Sequence, residues 1–189
     1  CGCHTAPPSP GPDSKPISDG VLKRRAEGHA HYAQAVLLEM SKQREAALDE
    51  YQKAAELDPG NEELVVDVAQ RWLAQKNPER ALDLLKFAAA QPDSTPMMQV
   101  LLGTAYWQMG KTNLAIEANQ RAIKKDPKLF VAHQNLHLNY FQSHRTNDAL
   151  AVLDSAAKQH GVEADFLVGL GDSYVKFAAG VPLVKSTAY

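Results

Sequence analysis

The body of this sequence contains no cysteine, since both of its cysteines, Cys1 and Cys3, lie at the start. Disulfide and thiol chemistry are therefore excluded from everything that follows. No run of about eighteen apolar residues occurs, so no segment is suited to crossing a bilayer as a helix. Neither sign of charge dominates. Lys and Arg number 20 against 22 Asp and Glu, giving a net charge of −2, whereas a dedicated nucleic-acid binder carries a marked basic excess. Aromatic residues are sparse at 7%, and strand-like alternation of useful length is missing. There is no Gly-rich phosphate loop, no G-x-S-x-G and no H-E-x-x-H. The carboxylate pairs Asp49-Glu50 and Glu62-Glu63 fall on expected solvent faces. The basic pairs Arg24-Arg25 and Lys124-Lys125 are too short for a phosphate-binding stripe. The reading is of a non-enzyme with no cofactor, no metal and no nucleic-acid partner.

What is abundant is alanine, at 28 residues, the best intrinsic helix former. Prolines are unevenly spread. Five of the eleven (Pro7, Pro8, Pro10, Pro12 and Pro16) precede residue 17. They fix φ and remove backbone donors, which predicts an extended, semi-rigid tether over residues 1–19. From Ser18 onward the composition turns to periodic Ala, Leu, Glu, Lys and Gln.

A 34-residue period organises that remainder. Ala47, Ala81, Ala115 and Ala149 form one column, and Ala54, Ala88, Ala122 and Ala156 another. A large column holds Leu38, Trp72, Tyr106, Tyr140 and Tyr174. A small one holds Ala35, Ala69, Gly103, His137 and Gly171. Each unit reads as two helices. Val65, Val68, Ala69 and Trp72 follow i, i+3, i+4, i+7 spacing, and Ala81, Leu85 and Ala88 make the stripe of the next helix. Asn77 is the expected cap of that helix, with Pro78 at its first position. Gly110 is read as a C-terminal cap, Thr112 as a helix start, Thr146 as an internal cap and Gly161 as a terminator. Where antiparallel backbones approach closely only Gly or Ala fits, which accounts for the small columns. One hairpin cannot bury its own apolar face; stacked neighbours can.

Leu102-Gly103, Tyr106, Ala115, Ala122 and Pro127 in the third unit, with their counterparts in the others, resemble the tetratricopeptide repeat (TPR) family. The resemblance implies an all-α fold, a right-handed α-solenoid of stacked helix-turn-helix repeats. Units are expected at about 28–61, 62–95, 96–129 and 130–163, with a partial fifth from 164, an array spanning 20–180, and a tail over 181–189. The first helix is expected to begin near Gly20 and the last to run to about Ala178.

The resemblance further implies that the first helix of each unit lines a concave groove binding a partner protein or peptide. Threading the period onto that surface selects Tyr32, Val36 and Met40, then Val66, Gln70 and Leu73, then Val100, Thr104 and Trp107, then Gln134, Leu138 and Phe141. This surface is apolar and amide-rich, suited to a peptide with apolar anchors and backbone groups that amides can bond. The same aromatics could instead pack between helices. The positions at which some family members clamp a chaperone's terminal carboxylate hold Tyr32, Val36, Asp67, Met97 and Leu101, none of them cationic.

Two further features invite chemistry. His133 and His137 stand at i, i+4, with His144 extending the same face. Such spacing suits zinc, but Gln134 stands where a zinc protease needs its general base, and a structural role is the expectation. Cys1 followed by a Pro/Ser/Gly tether resembles the start of a mature bacterial lipoprotein, whose first cysteine is acylated. Gly2, not being Asp, fits outer-membrane retention with the array facing the periplasm. Membrane contact is expected only through that lipid. The run Val181, Pro182, Leu183, Val184 suggests self-association through an apolar C-terminal end. The expected role is a scaffold assisting assembly or secretion of a larger envelope complex. The alternative is the substrate-recognition arm of a larger enzyme of which this chain is a fragment.

Overall fold

The structure is a computed structural model that describes residues 18–91 and 94–180. Cys1 and nearly all of the expected tether, Pro92, Asp93, and the tail over 181–189 lie outside the described residues. Among the described residues there are nine helices and no strand. They are α1 (Asp19–Met40), α2 (Arg44–Leu57), α3 (Glu62–Ala74), α4 (Pro78–Ala89), α5 (Pro96–Gln108), α6 (Thr112–Lys125), α7 (Phe130–Gln142), α8 (Thr146–Ala157) and α9 (Ala164–Gly180). Consecutive helices pack as antiparallel pairs. The odd-numbered helices also touch one another from α3 to α9, which makes two layers of an all-α solenoid.

The alanine columns lie where the pairs cross. Ala47, Ala81, Ala115 and Ala149 are at most 1% exposed, and Ala54, Ala88, Ala122 and Ala156 at most 2%. Ala35 and Ala69 are closed completely. At Gly103 the approach is tighter still, since a Cβ there would stand 2.5 Å from Asn119 Nδ2. Trp72 and Tyr140 of the large column are buried beside these contacts, and the stripe Val65, Val68, Ala69 is fully enclosed. His137 puts an imidazole into the small column. Its Nδ1–H donates to the Ala149 carbonyl of α8 at 3.1 Å, so the bulk is accommodated by a bond across the pair.

The turns inside the repeats follow the same period. Lys42, Lys76, Gly110 and His144 all have left-handed φ, between 59° and 71°. After each, the N–H of Gln43, Asn77, Lys111 and Arg145 reaches back to the carbonyl of Leu38, Trp72, Tyr106 and Tyr140. This is the Schellman pattern, which satisfies helix-end carbonyls through one left-handed residue. It corrects three expectations. Asn77 makes no side-chain cap bond. Thr146 is the first helical residue, with Arg145 at the cap position. His144 is the turn residue and is exposed, so it does not continue the face of His133 and His137. Asn61 does cap by its side chain, accepting from Leu64 N–H at 3.2 Å.

Two phenols tie neighbouring helices. Tyr51 of α2 donates to Glu39 of α1 at 2.9 Å, and Tyr174 of α9 donates to Asp154 of α8 at 2.7 Å. Burial first, and then the adjacent carboxylate, pushes each phenol from 10.0 up to about 12.

Two predictions follow from these contacts. A left-handed non-glycine residue costs roughly 1–2 kcal/mol, while glycine loses about 0.5–1 kcal/mol through its unfolded-state freedom. Lys42→Gly, Lys76→Gly and His144→Gly should therefore each stabilise by about 0.5–1 kcal/mol, raising the midpoint of thermal unfolding by roughly 1–4 °C per site. Circular dichroism melts of the single and triple variants check this, and a lowered midpoint would contradict the turn geometry. The phenols set an alkaline limit. Because the folded pKa lies above the unfolded one, their stabilising contribution is complete below pH 10 and is lost as pH rises towards 12. Two phenols should ionise near pH 12 by ultraviolet absorbance, and Tyr51→Phe with Tyr174→Phe should flatten the loss of stability over that range.

Candidate functional site

The groove expected from the sequence runs along the odd-numbered helices. The structure does not present all twelve threaded residues as free surface. Leu73 and Val100 are only 5% and 2% exposed and belong to the core. Phe141 is held between α7 and α9, its ring 5.6 Å from Phe177 and stacked on His137 at 6.1 Å. Val36 and Val66 are half-buried against the main core. Gln70 is exposed and Gln134 half-buried. Met40 is 77% exposed, at the end of α1.

Thr104, Trp107 and Leu138 do come together. They line a pocket of about 90 Å³ between α5 and α7, with Gly103, Asn119, Asn135, Asn139 and Gln142. The amide groups here are only partly paired. Asn135 donates to Thr104 Oγ1 at 3.4 Å, and Asn119 Nδ2 donates to the Ala115 carbonyl at 2.9 Å. Asn119 Oδ1 and Asn139 Nδ2 have no partner among the protein groups, although Asn119 is fully buried and Asn139 only 4% exposed. Nearby, Gln108 donates to the Leu73 carbonyl at 3.2 Å and leaves its Oε1 unpaired. An unpaired buried amide costs about 1–3 kcal/mol. Both unpaired atoms are enclosed by protein, whereas Asn135 is half-buried and Gln142 exposed in the same lining.

Sequence reasoning passed over Asn119 and Asn139. A signal for Asn119 was present: it stands 34 residues from Leu85 and Leu153 and 68 from Tyr51, all buried in the core. An amide in a column of apolar neighbours is a departure that the period itself exposes.

Tyr32 lies in a second pocket of about 270 Å³ with Tyr51, Asn61, Glu63, Leu64, Asp67 and Arg71. The Tyr32 and Tyr51 rings meet edge to face at 5.3 Å. Arg71 lies over Tyr51 at 5.2 Å and pairs with Glu39 and Asp67 at 3.1 and 2.9 Å. Tyr51's hydrogen bond, and then Arg71, hold the Glu39 carboxyl below its ordinary range. The cation here is supplied from within the protein, so this end of the face is polar but internally paired.

The two histidines are bound to backbone. His133 Nε2–H donates to the Pro127 carbonyl at 2.9 Å, and His137 is engaged with Ala149 as described. Their rings pack on Phe166 and Phe177 at 5.9 and 5.6 Å. No cluster of three or more His, Cys, Asp or Glu arranged to hold a metal occurs among the described residues. No described helix is long and apolar enough to cross a membrane.

Comparison with known proteins agrees with this geometry. Two family models, both described as tetratricopeptide repeat, match residues 28–61 and 69–129. No curated protein matches the chain. Among solved structures, PilF of Pseudomonas aeruginosa is 22% identical, over 81% of this chain and 72% of that one, with a TM-score of 0.55. YrrB, described as a TPR protein with an unusual peptide-binding site, is 20% identical over 82% and 80%, with a TM-score of 0.54. PilW, described as a widely conserved type IV pilus biogenesis factor, is 16% identical over 84% and 78%, with a TM-score of 0.56. At these identities the likeness is one of fold. With the matched repeats covering half of the sequence and the helix pairs stacked in their period, this chain belongs to the tetratricopeptide repeat family, whose arrays serve as protein-interaction scaffolds.

Proposed function

We propose that the protein captures an extended segment of a partner protein in the groove between α5 and α7, with Trp107 and Leu138 as apolar contacts and the surrounding amides as backbone receptors. The observation that carries this reading is the pocket between α5 and α7, where Trp107 and Leu138 stand beside Thr104 and the accessible amides of Asn135 and Gln142. A passing peptide group offers the complementary N–H and C=O. The amides of Asn135 and Gln142 can meet these groups, and a fixed helical frame loses little entropy on binding. Recognition through backbone groups tolerates sequence variation in the partner, with selectivity left to the apolar anchors.

The reading extends to place. Cys1 is proposed to carry a lipid, with the proline-rich stretch spacing the array from an envelope membrane. The support is the residue order at the start of the sequence and the fold shared with PilF and with PilW, a pilus biogenesis factor. A tethered scaffold of this kind would serve assembly of a larger envelope complex.

Two measurements test these statements. Peptides selected on the array from a random library should bind at least tenfold more weakly to Trp107→Ala and measurably more weakly to Gln142→Ala, by fluorescence anisotropy, while helical circular dichroism is retained. Phe141→Ala should instead lower thermal stability. Equal binding by all the variants would sink the groove. The mass of the mature N-terminus in its native membrane should exceed that of unmodified Cys1 by the mass of its acyl groups, and an unmodified Cys1 would remove the anchor.

A further inference from the structure

The last described helix, α9, buries one face and exposes another that also carries large apolar side chains. Phe166, Leu170 and Ser173 are buried against α7 and α8. On the opposite side Leu167, Val168 and Val175 are 57%, 64% and 70% exposed, and Gly171 has nothing within 4 Å of where its Cβ would stand. The repeat period shows that this is no ordinary surface. Leu167 is the counterpart of Val65, Gln99 and His133, which are 0%, 7% and 1% exposed. Gly171 is the counterpart of Ala35, Ala69, Gly103 and His137, all buried. In those repeats the antiparallel second helix covers the position: Asn119 of α6 against Gly103, Ala149 of α8 against His137. The face of α9 thus has the form that receives an antiparallel helix, and no described helix provides one.

We propose that a second copy of the chain does, with the two α9 helices pairing about a two-fold axis through Gly171. The register is self-complementary. Gly171 lies within one residue of the midpoint of Ala164–Gly180, so the pairing sets Leu167 of one copy against Val175 of the other. The one position needing close backbone approach is the one without a side chain. Asp165 and Lys176 stand well round the helix from Gly171 and leave the contact apolar, and Asp172 is the charge nearest the axis, where it faces its own copy. The first helix also exposes Leu22, Leu37 and Met40. A contact between that face and α9 would be heterologous and would propagate into open polymers, whereas the α9 pair closes at two.

A pair of helices this long buries less than a standard interface, so a dissociation constant on the order of 10–100 μM is expected. Sedimentation equilibrium of the full 189-residue chain, from about 5 to 500 μM, should show monomer and dimer with no larger species. Gly171→Gln should keep or raise thermal stability, because its side chain meets open space in the monomer, yet weaken the dimer at least tenfold. Asp172→Asn should strengthen it about threefold, by removing the like charge that meets its own copy at the axis. A monomer at every concentration would overturn the proposal and leave this face to residues 181–189 or to a different protein. A dimer indifferent to Gly171→Gln, or a polymer dissolved by Leu37→Glu and Met40→Glu, would overturn it equally.

Discussion

Each repeat depends on how closely two helix backbones can approach. At the crossing points of this protein that distance is set by side chains no larger than a methyl group, with His137 the single bulky exception among the described pairs. Because the small columns recur every 34 residues, each pair adopts nearly the same geometry, and each offers the next the same apolar surface. The large column then fills the space that the close approach leaves at its side. Stability is a sum over neighbours in such an array, and a change at one crossing is felt mainly by the pair that contains it and the two beside it.

The same constraint shapes the surface on which a partner would dock. At Gly103 the second helix comes so near that Asn119 fills the volume of a missing Cβ. That leaves the Asn119 carbonyl oxygen buried without a partner beside α7, where Asn139 has a spare N–H. Local polarity thus rises at a closely packed pair midway along the face. Buried amides are expensive unless satisfied, and these two are enclosed, so their cost falls on the packing, and a ligand would meet Trp107, Leu138 and the outer amides instead.

The repeat period, the helical content and the identity of the small columns were legible in the sequence because they depend on spacing, and spacing is preserved in any fold built from it. The turn geometry was only partly legible. Gly110 announces a left-handed residue, and Lys42, Lys76 and His144 take the same conformation in its 34-residue column although their own side chains do not favour it. The candidate site was less legible again. Threading selects a face, but not how deeply each residue on it sinks, and Leu73 and Val100 proved to be core while Thr104, Trp107 and Leu138 share a pocket. His133 and His137 are a further instance: their spacing allows a metal, but the carbonyls of Pro127 and Ala149 hold a ring nitrogen of each.

The sequence by itself determined the architecture of this protein: helices paired at alanine, repeated without a gap, and free of thiols beyond the third residue. Those properties follow from local propensity and from the period of small and large side chains, which act along the chain. The tertiary structure alone decided which polar atoms are left unpaired, how deeply each residue of the face sinks, and which helix face lacks a cover among the described residues. These are consequences of distances between segments far apart in sequence, where a few tenths of an ångström separate a satisfied contact from an open one.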